Sequence, residues 1–293
     1  MERADTEFSF FGIGTAWSVV TDGSVLRKDA RSAVLAFVDG FDKRLSRFIA
    51  SSEANAFRNA DAGDYSISKE FAVLLAKADD LRKLTDGVYD PAVGGLLERA
   101  GYDATYRMEP LPNTEEFVLP TWTLTAQTLT LDGPAVFDIG GMGKGYCIDR
   151  VADIVRSFGY EHFLVDGGGD MFATKKASGA PWRVAIEYPG KPDMAAGLVE
   201  LKDQGLAVSD GFRRRWGKWH HLVDPQLKKP IEHVAGAAAV APSAWDADCV
   251  TSALFFAASE RYPAVSEYYK ASYLVFQSDG MTSVSPNWKG ELY

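Results

Sequence analysis

Residues 138 to 145 read Asp-Ile-Gly-Gly-Met-Gly-Lys-Gly. Four glycines leave backbone amides uncovered around one lysine, and that is the chemistry of an anion cradle, above all for phosphate. The known phosphate loops do not match it. A P-loop needs glycine five residues ahead of Gly143 and Ser or Thr after Lys144, where this chain has Asp138 and Gly145. A dinucleotide-binding turn continuing Gly141-Met142-Gly143 needs glycine or alanine at 146, which is Tyr146. Taken alone, the segment is open between a phosphate cradle and an ordinary glycine turn that starts a helix.

A second chemical segment runs from Ser243 to Leu254, Ser-Ala-Trp-Asp-Ala-Asp-Cys-Val-Thr-Ser-Ala-Leu. Ser243 with Asp246 three residues later is a helix cap, and acidic residues in the first turns suit the helix dipole. On that helix Asp248 and Ser252 are i and i+4 with Thr251 beside them, so a carboxylate and two hydroxyls share a face. Hard oxygen donors with a single carboxylate suit Mg²⁺, which takes its other ligands from water and substrate phosphates. A solvated polar face is the alternative. In the third segment, Trp219 to Pro225, His220 and His221 are adjacent, so on an extended strand only one of them can face a given site. A histidine there could act as a general base or only hold the backbone. Cys147 and Cys249 have no zinc spacing, and no disulfide is expected.

The elements that must position these residues follow from apolar periodicity. Ala135-Val136-Phe137 reads as a strand ahead of the glycine turn. Ile148, Val151, Ile154, Val155 and Phe158 then recur at helical spacing up to Gly159. Phe163-Leu164-Val165 reads as a second strand running into Asp166-Gly167-Gly168-Gly169-Asp170, so two glycine turns flank a βαβ-like unit. Val34 through Ile49 and Phe71 through Leu84 give two amphipathic helices, the second ending at Gly87. Strands are predicted at 182–188, 198–201, 206–209 and 234–241, with a terminal hairpin, Tyr273–Gln277 and Met281–Ser285, around Asp279-Gly280. The result is an α+β mixture.

Several segments in order resemble one family, the ApbE-type flavin transferases (FAD:protein FMN transferases), nearly end to end. Gly12-Ile13-Gly14-Thr15 is similar to the family's Met-Gly-Thr opening, with Ile13 in place of methionine. Asp42 to Phe48 followed by Ser52-Glu53 resembles its first-helix exit, with Phe48 where a flavin-contacting tyrosine is common. Thr85 to Gly94, the cradle from Asp138 to Asp149, Gly168-Gly169-Asp170, Pro181-Trp182, His221 to Pro225 and Asp248 to Leu254 complete the series. The chain departs from the family pattern at Val208 and Asp210, where one hydroxyl is missing, at Gln226-Leu227-Lys228 after Asp224-Pro225, and at Ser252 in place of threonine.

The resemblance implies one ApbE-like domain over residues 1–293, built as two interlocked α+β lobes. Their sheets would be mixed and largely antiparallel, related to the T-fold, with the flavin site between the lobes. It implies Mg²⁺-dependent transfer of the FMN half of FAD to a Thr or Ser hydroxyl of an acceptor flavoprotein, with release of AMP. FAD pyrophosphatase activity, or flavin binding without chemistry, are the alternatives. By position, Ile13, Phe48, Val88, Tyr89, Asp90, Asp138, Lys144 and Val223 would contact FAD. Gly141, Asp248, Thr251 and Ser252 would hold Mg²⁺, and His221 and Asp248 would be catalytic.

The global properties are compatible with this. At 293 residues and 46% apolar, the chain has ample material for a core. A net charge of −9 argues against nucleic acid, which needs a basic surface. The basic run Arg213-Arg214-Arg215 reads as a solvated turn or as a neighbour of the adenine half of FAD. No stretch is apolar enough for a membrane anchor or export signal, so the expectation is cytoplasmic, with an exported lipoprotein shortened at its N-terminus as the alternative. Acceptor sites in target proteins resemble Asp-Gly-x-Thr-Ser-Ala-Thr, and Asp279 to Ser285 is near that pattern. Self-labelling at Ser285 is therefore a further expectation to test.

Overall fold

The computed structural model describes residues 6–293. The charged segment 1–5, on which the export expectation partly rests, lies outside the described residues. Eight strands form the main sheet: β1 (Glu7–Gly12), β2 (Thr15–Thr21), β3 (Phe163–Gly167), β4 (Asp170–Ala173), β5 (Gln204–Asp210), β6 (Val234–Ala241), β7 (Ser272–Gln277) and β8 (Thr282–Val284). Their order in space is their order along the chain, and every neighbouring pair is antiparallel. The long insertion between β2 and β3 carries α1 (Lys28–Leu45), α2 (Lys69–Leu84), α3 (Gly94–Arg99) and α4 (Gly143–Ser157), with a small antiparallel sheet between α3 and α4 that draws its edge from 63–66. Helices α5 (Ala244–Phe256) and α6 (Tyr262–Tyr269) join β6 to β7. The expected α+β class with antiparallel sheets is what is observed.

The central strands of the sheet are buried on both faces, and the period-two alternation of their side chains shows how. Phe163 and Val165 of β3 pack with Ile148, Val151 and Val155 of α4, while Leu164 packs with Ile186, Val199 and Leu201 of a hairpin formed by Trp182–Tyr188 and Lys191–Leu201. In β6 the alanine-rich run Val-Ala-Gly-Ala-Ala-Ala-Val-Ala keeps both layers near the sheet. Ala237, Ala239 and Ala241 face the helices, whereas Ala238 faces the hairpin.

The same economy of volume brings α4 against α5. A Cβ on Gly145 would stand 2.4 Å from the Ala244 carbonyl oxygen and 2.7 Å from Asp248 Cβ, so only glycine allows this approach. The start of α5 is fixed from two sides. Ser243 Oγ accepts from the Asp246 amide at 3.0 Å, as its spacing predicts. The Asp149 carboxylate accepts from the amides of Ala244 and Trp245 at 2.9 and 3.0 Å. Burial pushes the Asp149 pKa up to about 6.

Three expectations are corrected. Residues 135–137 form no strand of the sheet, because Val136 makes only an isolated parallel bridge to Val93. The second glycine turn does not close a βαβ unit either: Gly168 and Gly169, at φ +71° and +98°, reverse the chain into the β3–β4 hairpin. Finally, Ser285 is buried at 3% exposure and its hydroxyl accepts from the Tyr273 amide at 2.9 Å, which leaves it closed to modification in this fold.

Candidate functional site

A cavity of about 320 Å³ opens between the first turn of α4, the middle of α5, the end of β5 and the loop from 211 to 223. The segments singled out from sequence converge there. Phe48, Tyr89, Asp90, Asp138, Gly141, Lys144, His221, Val223, Asp248 and Ser252 all line it. A second cavity of about 400 Å³ adjoins it, and the two share lining residues that include Gly14, Phe48, Asp138, Gly140, Lys144 and Arg214. Ile13, at φ +49°, lines the second cavity only. Val88 lines neither and sits in a separate groove beside Leu227 and Phe256. Thr251 is fully buried, its hydroxyl committed to the Asp248 carbonyl at 3.0 Å and to Ser209 Oγ at 3.1 Å.

On the helical wall, Asp248 is held by its neighbour across the close contact. One carboxylate oxygen, Oδ2, accepts from the Gly145 amide at 2.8 Å. Burial, reinforced by the nearby negative charge of Asp170, pushes the Asp248 pKa up to about 7, so the site as built favours a compensating cation. Ser252 Oγ donates to the Gly141 carbonyl oxygen, which places a hydroxyl, a carbonyl and a carboxylate on one wall. One carboxylate among neutral oxygens is a donor set for a hard divalent cation such as Mg²⁺. Among the described residues no cluster of three or more His, Cys, Asp or Glu side chains is arranged for a metal.

Lys144 does not point free into the cradle. It forms an ion pair with Asp170, which is wholly buried and also accepts from the Val208 amide at 3.0 Å. Burial opposes the lysine's charge, but Asp170 and Asp248 outweigh it and its pKa is raised. Asp138 is likewise engaged: Oδ1 accepts from the Gly140 amide at 2.6 Å and Oδ2 pairs with buried Arg47. Burial raises the Asp138 carboxyl, but the Arg47 guanidinium more than reverses this and holds it low. Asp90 accepts from the Ala92 amide at 2.8 Å and from Trp122 Nε1 at 3.0 Å, so it fixes the turn that presents Tyr89.

Among the described residues, Tyr89 Oη and His221 Nδ1, in side chains that line the cavity, are enclosed and have no hydrogen-bond partner. Burial carries the Tyr89 pKa well above its usual value, so it is a neutral donor. Adjacent His220 has a structural task, its Nε2 hydrogen-bonded to the Ile231 carbonyl at 2.8 Å while its Nδ1 accepts from the Leu222 amide. His221 is the member of the pair that faces the cavity. Burial, and then the positive charge of Arg214, lower its pKa to about 3, so the ring is neutral.

Four further residues were not assigned roles from the sequence. Arg213 and Arg214 lie in a turn, as one reading of their run expected, with Arg213 and Arg215 exposed, and Arg213 and Arg214 also line both cavities. Arg213 is tied to Glu187 at 2.5 Å and to the Gly168 carbonyl at 3.2 Å. Asp170 ends the Gly-Gly-Asp segment, a visible signal with no visible partner. Arg47 carries no signal, since its partner Asp138 is distant in sequence.

Comparison with known proteins places this geometry. The ApbE family pattern matches residues 13–275. A protein named FAD:protein FMN transferase from Haemophilus influenzae is 28% identical over 259 residues, covering 81% of this chain and 73% of its own length. One of the same name from Escherichia coli is 25% identical over 305 residues, covering 96% and 87%. Among solved structures, the flavinyl transferase ApbE of Pseudomonas stutzeri superposes with a TM-score of 0.81 at 25% identity, covering 96% of this chain and 94% of that one. The ApbE protein of Thermotoga maritima gives a TM-score of 0.83 at 24% identity with 96% of both chains covered. With this cavity, this fold and a match across nearly its whole length, the chain belongs to the ApbE family.

Proposed function

We propose that this protein transfers the FMN moiety of FAD to a Thr or Ser hydroxyl of an acceptor protein and releases AMP. The observation that carries the reading is the convergence of Gly141, Lys144, His221, Asp248 and Ser252 on one cavity. A second cavity adjoins it and shares Asp138, Gly140 and Lys144. A dinucleotide consists of two planar heterocycles joined by a diphosphate, and two pockets with a charged, glycine-lined waist between them match that shape.

In the reaction, the acceptor oxygen forms a bond to the FMN phosphorus, the bond from that phosphorus to the bridging oxygen breaks, and AMP departs with the electron pair. His221, the histidine that lines the cavity, takes the acceptor's proton on its neutral ring. Its low pKa reflects burial and Arg214, and the negative charge of a bound diphosphate raises it toward the range useful to a base. Lys144, anchored by Asp170, and Arg214 stabilise charge on the phosphates and on departing AMP. The oxygens fit Mg²⁺, with Gly141, Asp248 and Ser252 as its protein ligands, where it would supply Lewis acidity at the diphosphate. Thr251, also expected as a ligand, holds the α5 turn through its bonds to Asp248 and Ser209. Phe48, Ile13 and Val223 form apolar walls for the heterocycles.

The test is incubation of pure protein with FAD, Mg²⁺ and a peptide containing Asp-Gly-Ala-Thr-Ser-Ala-Thr. AMP with a peptide heavier by FMN is the expected result. AMP with free FMN alone means hydrolysis, and intact FAD means binding without chemistry; either overturns the proposal.

A further inference from the structure

A third opening adjoins the main cavity and has no part in the account so far. It is a groove of about 240 Å³ under the tip of the 182–201 hairpin. Its floor is the sheet, at Val208 and Phe276, and its sides are Tyr188, Pro192 and Phe212. The hairpin tip is pinned down: a Cβ on Gly236 would stand 2.4 Å from Pro189 Cγ, and Gly190, at φ +72°, sits against the Phe212 ring. Register shifts on both sides of Glu187 bend the hairpin toward this contact. The groove shares Val208, Ser209, Asp210 and Arg213 with the main cavity, and Arg213 at that shared wall pairs with Glu187 of the groove.

We propose that this groove seats the acceptor polypeptide, an extended segment that presents its Ser or Thr to the main cavity past Arg213. The inference rests on the transferase reading, in which two substrates must meet at one phosphorus. The dinucleotide fills the two cavities that share Lys144, and this groove is the adjoining space that reaches the opposite, β5 side of the same site. Its character also suits a polypeptide. Tyr188, Pro189, Pro192 and Phe212 offer apolar and ring surfaces, Phe212 being 43% exposed. Exposed Lys191 lies over the Tyr188 ring at 5.0 Å and gives one end of the groove a positive charge for the aspartate that opens the acceptor pattern.

The variants Phe212→Ala and Lys191→Glu test it, since neither residue lines the two flavin cavities. Transfer to the Asp-Gly-Ala-Thr-Ser-Ala-Thr peptide and FAD affinity are measured in parallel. The expected result is an apparent KM for the peptide raised about tenfold in each variant, with FAD affinity within about twofold of wild type. An unchanged peptide KM overturns the proposal, and so does FAD affinity that falls in step with it. If wild-type protein itself releases no AMP and labels no peptide, the transferase reading fails and takes this inference with it, an outcome distinct from the other two. A photoreactive benzoylphenylalanine placed after the peptide's final threonine supplies a second measurement. Cross-links to the 188–192 tip or Phe212 support the groove, and cross-links elsewhere refute it.

Discussion

The two walls of the cavity are built in opposite ways. The α4–α5 wall is fixed by a glycine contact that admits no side chain, and its polar groups are tied to one another: Asp248 to the Gly145 amide, Ser252 to Gly141, Lys144 to Asp170. The facing wall, from Gly211 to Val223, hangs on two pairs of two-residue strands, Arg215–Trp216 with Trp219–His220 and Val223–Asp224 with Lys229–Pro230. It leaves His221 Nδ1 unpartnered. In the proposed reaction the rigid wall would seat the diphosphate and the cation, while the looser wall would supply the histidine that handles a proton, Arg214 toward the phosphates and Arg213 toward the acceptor.

Breaking the rigid wall has the largest expected effect. Lys144→Ala leaves the wholly buried Asp170 without its cation, which costs about 3–5 kcal/mol in urea unfolding. Adding Asp170→Asn recovers most of that stability without recovering AMP release. Full stability in the single variant would show that the pair is not what holds this wall. Next, Asp248→Asn keeps the acceptor for the Gly145 amide and so keeps the fold, but lowers Mg²⁺-dependent AMP release by about 10³-fold. Undiminished turnover refutes its role at the metal. Gly145→Val forces α4 and α5 apart and lowers stability by about 3 kcal/mol, with a matching fall in melting temperature.

The looser wall gives the smallest stability effect and a distinct pH signature. His221→Gln lowers kcat by about 10²-fold if the ring takes the acceptor's proton, and leaves stability at pH 7 close to wild type. At lower pH the two proteins diverge. In the unfolded chain His221 gains its proton near 6.5, whereas in the folded protein burial and Arg214 delay this to about 3. The unfolded state therefore binds more protons between those values, and wild-type stability falls as pH drops through that window. Burial lowers His220 and His233 as well, adding slope of the same sign that the variant retains. The variant thus loses stability less steeply from pH 6.5 toward 4, and identical slopes would contradict the enclosure of His221.

The sequence carried more of the rigid wall than of the other. Helix periodicity, the Ser243 cap and the spacing of Asp248 and Ser252 are local signals, and all of them hold in the structure. The bound state of Lys144 is not local, because Asp170 reaches it only through the β3–β4 hairpin. The triplet at 213–215 stayed open between a solvated turn and a neighbour of the dinucleotide, since a basic run carries no information on what lies across from it. The strand expected at 135–137 failed because three apolar residues suit a buried connection as well as a strand. Spacing alone did not say which of two adjacent histidines would turn inward; the family resemblance pointed to His221, and the Ile231 carbonyl holds His220.

The most direct measurement of the central claim is a crystal of the protein soaked with FAD and Mg²⁺. The account predicts the diphosphate between the Gly140–Lys144 turn and Asp248, with the cation on the Asp248, Ser252 and Gly141 oxygens and His221 facing the FMN phosphorus. A diphosphate bound away from that turn, or a cation that ignores Asp248, would contradict it.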